Sequence, residues 1–369
     1  MIFLFSEFFQ FIYQLFKRRT KIVGAVGIAV LAYLAGSASA TTTTDYPVYE
    51  SYYYVAQTGN FYFEKGYSHL GLILLNHGFD YAQFRLFFAT LSALILYIGV
   101  RRFTENVSFF SFAYGLTVFF NDATQIRNFM MIAIIILALS FLVKLNLKNI
   151  LISIVLICVS AQFQSLGYFF LLIVAIRVIP SDYFKKGLAW LMGIELLLLL
   201  ISKIMGISTI ISVLTKIASR ITNRGNLVSK LSGQYNYGSS MTNFFGVAVS
   251  MILVLLVSYY LMTRYPKNID YQNKMYPLYC GVIACFLALP LLFLAIDYSR
   301  IQRNGFLFFL IIVAIFLENT DFSGVNWHKN SGIFIVIVVV CVLVAVVNYH
   351  IWGPLYQQSI PYLAKILKS

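Results

Sequence analysis

Residues 121–143 read NDATQIRNFMMIAIIILALSFLV, and this stretch decides the architecture. From Phe129 onward it is apolar apart from one serine, with none of the period-two alternation that marks a barrel strand of about ten residues. The spanning element is therefore a helix. Just ahead of the apolar run stands Arg127, a permanent cation at the mouth of that helix. It reads either as an interfacial arginine whose head snorkels to water, or as a cation kept for an anionic partner.

The same kind of run recurs along the chain, at 22–39, 84–100, 107–121, 128–144, 149–163, 165–180, 187–206, 244–264, 276–296, 304–318 and 331–349. That makes about eleven spans, within a range of ten to twelve. With 60% hydrophobic and 11% charged residues and a mean hydropathy of +0.82, the chain carries too much apolar surface for a water-soluble fold. The expectation is an all-α, polytopic integral membrane protein, with residues 1–369 forming one membrane domain. Residues 1–16 read as an interfacial or transmembrane helix, because Glu7, Gln10 and Gln14 fall near one helical face, opposite phenylalanines and leucines.

A formal charge of +14 raises the question of nucleic acid, yet the cations form short clusters between apolar runs, and no basic domain exists to hold a duplex. Topology and anionic lipid account for most of them. Lys17 to Lys21, Arg101 with Arg102, Lys144 with Lys148, Lys185 with Lys186, and Arg264 with Lys267 and Lys274 all fall on one side of the predicted membrane, which becomes the cytoplasmic side. The opposite side receives residues 40–83, including a re-entrant segment around SHLGLILLNHG, the connection at Arg127, the bend near Gln164, a basic loop over 207–243 and the segment 297–303. The C-terminal tail, with Lys365 and Lys368, also falls outside on this count, against the charge rule.

Arg127, Arg220, Arg224, Arg300 and Arg303 thus lie on the face where topology does not ask for cations. An anionic ligand is the simplest cause, and the planar fork of arginine suits phosphate oxygens. Asp45 and Glu64, in the first outer connection, are candidate general bases and equally surface or salt-bridging acids. The tyrosines and phenylalanines around them could stack on sugar rings or form an interfacial belt. His69 and His77 lack neighbouring ligands at metal spacing, and no metal is expected. Glu195, inside an apolar run, is a transport site or one half of a structural ion pair. Cys158, Cys280, Cys285 and Cys341 lie in predicted spans without CxxC spacing and read as small core residues. No Walker loop, GxSxG or nucleotide fingerprint is present, and no cofactor is expected.

In chain order, Asp45-Tyr46-Pro47-Val48-Tyr49 with Tyr53, Glu64-Lys65-Gly66-Tyr67, Gln125-Ile126-Arg127-Asn128 and Ala161-Gln162-Phe163-Gln164-Ser165 resemble the motifs of the EpsG-like branch of the Wzy polysaccharide polymerases. Asn128 stands where that pattern has glutamine, and Gln164 where it has histidine, so no histidine proton carrier is transferred to this position. The resemblance implies a GT-C-like polymerase of the bacterial cytoplasmic membrane with its active site on the outer, periplasmic side. The implied substrates, donor and acceptor, are polyprenyl-pyrophosphate-linked oligosaccharides, embedded in membrane lipid, and the implied partners are a chain-length regulator and a flippase.

On that reading Arg127, Arg300 and Arg303, with Arg220 and Arg224, neutralise the pyrophosphate, and Asp45 or Glu64 takes the proton. Tyr49, Tyr53 and Tyr67 shape the sugar path, and Gln164 hydrogen-bonds a sugar or phosphate oxygen. A flippase of the same lipid would call for two similar halves, which the sequence lacks. A ligase would use the same arginines.

Overall fold

The computed structural model describes residues 1–16, 21–41, 43–180, 240–265, 267–293, 295–320 and 327–359, with isolated positions between 183 and 197. Among the described residues every extended element is helical. In chain order these are α1 Ile2–Phe16, α2 Lys21–Gly36, α3 Tyr46–Val55, α4 Lys65–Asn76, α5 Tyr81–Arg101, α6 Val107–Thr117, α7 Phe119–Thr124, α8 Ile126–Phe141, α9 Leu147–Ser160 and α10 Leu171–Val178. A 3-10 turn, Ser165–Phe170, leads into α10. After the undescribed stretch follow α11 Met241–Met262, α12 Ile269–Phe286, α13 Ser299–Asn319 and α14 Trp327–Ser359.

Five of these segments are long and apolar enough to cross a membrane, namely Tyr81–Arg101, Met241–Met262, Ile269–Phe293, Ile296–Asn319 and Asn330–Gly353. Five more apolar helices are shorter: Lys21–Gly36, Val107–Thr117, Ile126–Phe141, Leu147–Ser160 and Ser165–Val178. At about 1.5 Å per residue the shorter ones fall below a hydrocarbon core of roughly 30 Å. Breaks in the backbone cut two of them short: α6 stops at Val118 (φ −116°, ψ −7°) and α8 starts from Gln125 (φ −98°, ψ 64°). The molecule is a helical, membrane-embedded protein.

Close approach of the helices depends on small residues. A Cβ on Gly24 of α2 would stand 2.5 Å from the backbone carbon of Val107 in α6. At the centre is α13, 94% of whose apolar window is buried; α14 buries only 22% of its own and lies at the margin.

The polar face of α1 does not look into water. Gln10 and Glu7 are 1% and 4% exposed, whereas Phe5 and Phe8 are 72% and 62% exposed. The helix runs antiparallel along α6, with Ser108 donating to Gln14 (3.0 Å), Phe11 against Phe112 (5.7 Å), Glu7 against Gly115 and Phe3 against Phe120 (5.5 Å). A lipid solvent favours this inversion, since it accepts phenylalanine and rejects carboxyl and amide groups. An interfacial placement would need the opposite arrangement.

The bundle has two chemically distinct ends. One gathers Lys21 paired with Glu105, Arg102 on Ser140, and Glu318 accepting from Thr104 and the Glu105 amide. The other carries α3 and α4, which fold the connection 40–83 into a cap. There Asp80 and Gln83 close a reciprocal capping box at the start of α5.

Candidate functional site

Arg127 occupies the first turn of α8, at the α3–α4 end. Its guanidinium lies over the Phe63 ring at 4.2 Å, with Tyr49 and Tyr67 at 5.3 and 5.9 Å. Nη1 donates to Glu64 Oε2, and the partners' side chains are only 15% and 11% exposed. The other Glu64 oxygen accepts the Ser165 backbone N–H at 2.9 Å. Glu64 therefore ties together the starts of α4, α8 and the 3-10 turn. That junction closes because position 66 is glycine: a Cβ there would stand 2.8 Å from the Gln162 carbonyl oxygen, which accepts the Tyr67 N–H at 3.3 Å. The Nε–H of Arg127 is buried and meets no acceptor among the described residues.

Half-buried Asp45 precedes α3. Burial raises its carboxyl above the ordinary carboxylate range, and Arg300, Arg127 and Arg85, in that order, pull it back down. Arg300 is itself anchored to Asp297, through the carbonyl at 2.8 Å and the carboxylate at 3.4 Å. The sequence reading passed over Arg85, which is fully buried and donates to Ala35 O (3.0 Å), Tyr81 Oη (3.4 Å) and Ala123 O (2.5 Å). Its one signal was a cation at the edge of an apolar run, the same signal that drew attention to Arg127. All its hydrogen bonds go to neutral oxygens, so its positive charge is felt by Asp45.

Deeper in the bundle lies a polar layer that was also missed. Asp122 accepts from Tyr114 (3.0 Å) and Asn128 (2.8 Å), Asn128 pairs with Asn304 (3.3 Å), and Arg303 donates to Gln125 (2.8 Å). The layer joins α6, α7, α8 and α13. Its legible trace was the polar NDAT ahead of α8; the partner Asn304 lies far away in sequence.

The fold brings Asp45, Glu64, Arg127 and Arg300 into one neighbourhood, with Tyr49 beneath Arg127 and Gln164 adjoining the Ser165 amide. Arg303 turns instead toward α8 and the polar layer. Tyr53 and Tyr67 do not line an open path. They are 3% and 2% exposed, packed among Tyr81, Phe84 and Phe88, and Tyr53 donates to Phe79 O at 2.9 Å. The accessible aromatic surface is Tyr62, stacked on Tyr52 at 3.9 Å and 8°, beside exposed Phe61. Arg220 and Arg224, with most of the loop 207–243, lie outside the described residues. His69 and His77 turn Nδ1 to the carbonyls of Lys65 and Ile73 (2.7 Å each). Glu195 is buried, without a hydrogen-bond partner among the described residues.

Arginines paired to carboxylates can exchange those partners for phosphate oxygens, and a carboxyl with a raised pKa can accept a proton. These features define a membrane-embedded helical protein that gathers arginines and carboxylates at one end of its bundle. The chain belongs to the EpsG family, whose model matches residues 2–364. No curated protein and no solved structure matches it. Membership of that family points to polysaccharide polymerisation.

Proposed function

We propose that this protein is a glycosyltransferase that joins polyprenyl-pyrophosphate-linked oligosaccharide repeats at the outer face of the bacterial cytoplasmic membrane. The proposed architecture is GT-C-like with about eleven spanning helices, the α3–α4 end facing outward and the end with Lys21, Arg102 and Lys144 facing the cytosol. The single observation that carries the reading is Arg127: a largely covered guanidinium, packed against three aromatic rings and fixed by Glu64, with a buried Nε–H that meets no acceptor among the described residues. A buried donor without an acceptor is costly. An anion at that point supplies the acceptor.

In the reaction, a hydroxyl of the acceptor repeat attacks the anomeric carbon of the donor chain. The new C–O bond forms as the bond to the pyrophosphate oxygen breaks, the hydroxyl proton passes to Asp45, and polyprenyl pyrophosphate leaves. Arg127 and Arg300 meet the charge that develops on the leaving group, and no metal is called for. Asp45 suits the role of base because burial raises its pKa while three arginines surround it. Glu64, with both oxygens engaged, is instead a positioning residue for Arg127. The Tyr52–Tyr62 pair offers ring faces to the sugars, whereas Tyr49, 5% exposed and covered by Arg127, does not. A chain-length regulator and a flippase are its proposed partners.

The test is purified protein in vesicles given lipid-linked repeats alone. A ladder of lengths that collapses to single repeats in Arg127→Ala is expected. Vectorial movement without product would make the protein a flippase, and transfer only of finished polymer to a different acceptor would make it a ligase.

A further inference from the structure

Ser299 and Gln302 are 6% and 5% exposed, and neither the serine hydroxyl nor either polar atom of the Gln302 amide has a partner among the described residues. Both face a crevice between α11, α13 and α14, which Arg303 also lines, while Met251, Phe306 and Val344 make its apolar wall. Arg303 is the link to the site, since its guanidinium donates to Gln125 ahead of Arg127. Unmet donors and acceptors beside a cation, at the head of an apolar channel, match an amphiphile with an anionic head and a hydrocarbon tail.

The crevice offers about 30 Å³, room for about two waters, so a headgroup passes only if a wall gives way. The wall able to move is α14. It is the least buried of the spanning helices, 22% against 94% for α13, and its backbone breaks at Trp352 (φ −118°, ψ 15°), just past the crevice. Exposed Val338, Val342 and Val346 on α14 continue the apolar surface outward to lipid.

We infer that the α11–α14 seam is a lateral gate through which a prenyl diphosphate lipid reaches the site from the bilayer, with Ser299, Gln302 and Arg303 as its first polar contacts. This rests on the polymerase reading and adds to it the route by which the lipid arrives. The direction of travel is from α14 across α13 to Arg127. Ordinary phospholipids are the competing class, and the test separates them.

The seam can be stapled. A Cβ on Gly246 would lie 3.5 Å from the Val347 methyl carbons, so Gly246→Cys with Val347→Cys, in a Cys341→Ala background, places two thiols within bridging reach. The protein in phosphatidylcholine vesicles is exposed to a benzophenone-tagged prenyl diphosphate, oxidised or reduced, and the labelled peptides are mapped. Oxidation is expected to cut labelling of the α8 and α13 peptides by about tenfold, by removing the open population, and dithiothreitol to restore it. Gln302→Leu, similar in size but without polar atoms, weakens labelling in the reduced protein.

Equal labelling in both redox states overturns the gate while leaving the polymerase reading standing. Displacement by phosphatidylglycerol as effective as by unlabelled prenyl diphosphate overturns the lipid assignment. Absence of labelling in either state sinks both readings.

Discussion

Arg127→Lys separates a guanidinium fork from a mere positive charge. The substitution keeps a cation at the mouth of α8, so insertion and an ion pair with Glu64 are preserved. It removes the Nε–H that lacks an acceptor among the described residues and the planar face that lies 4.2 Å over Phe63. One charge-assisted hydrogen bond to the ligand is worth about 1.5–3 kcal/mol, and the stacking difference on the ring about 0.5–1 kcal/mol. Together they come to about 2–4 kcal/mol, or roughly 30- to 900-fold in kcat/KM. The assay is polymerisation by purified protein in vesicles, with the ladder resolved on gels and the amount of inserted protein measured in parallel. Glu64→Gln belongs in the same series: because it leaves one acceptor near Arg127, it should lose less than Glu64→Ala. A lysine variant within about threefold of the native protein would refute the reasoning, since a point charge would then suffice.

Asp45 should set the acid limb of the pH–rate profile above the ordinary carboxylate range, because burial raises its pKa and a base must be deprotonated to act. Arg300→Gln removes the strongest opposing cation, so the pKa rises further and the limb moves to higher pH; a downward shift contradicts this, and Asp45→Asn should erase the limb. Tyr53→Ala, which empties a packed aromatic site, should cost about 3–5 kcal/mol of stability and lower the thermal transition in detergent. Exposed Tyr62→Ala should leave that transition within about 0.5 kcal/mol while raising the KM for the sugar-bearing substrate. Gly24→Ala drives a methyl into the Val107 backbone and should destabilise the α2–α6 contact by about 1–3 kcal/mol, read as lost thermal stability or yield.

How much of the site could be read in advance depended on the range of the interaction. Arg127 and the carboxylates Asp45 and Glu64 stood out because a charge beside an apolar run is expensive wherever it folds. The proposal casts Glu64 as an anchor and leaves the base to Asp45, because the two Glu64 oxygens meet a guanidinium 63 residues away and an amide 101 residues away. Arg85 escaped notice at the edge of a helix, although it bonds the carbonyls of Ala35 and Ala123. The tyrosines illustrate the same limit, since alternation within α3 cannot say which ring meets α5 and which meets solvent.

From its residues alone this chain declares a helical membrane protein, because bilayer solvation acts on each segment through local apolar length, and its short motifs carry the resemblance to the EpsG family. Tertiary packing decided the rest. It turned the polar face of α1 inward, buried Tyr53 and Tyr67, and sent Arg300 and Arg303 to different neighbours although they share the first turns of α13. Those outcomes depend on contacts between segments tens to hundreds of residues apart. In a low-dielectric interior such contacts set where a charge can rest, and no local pattern records them.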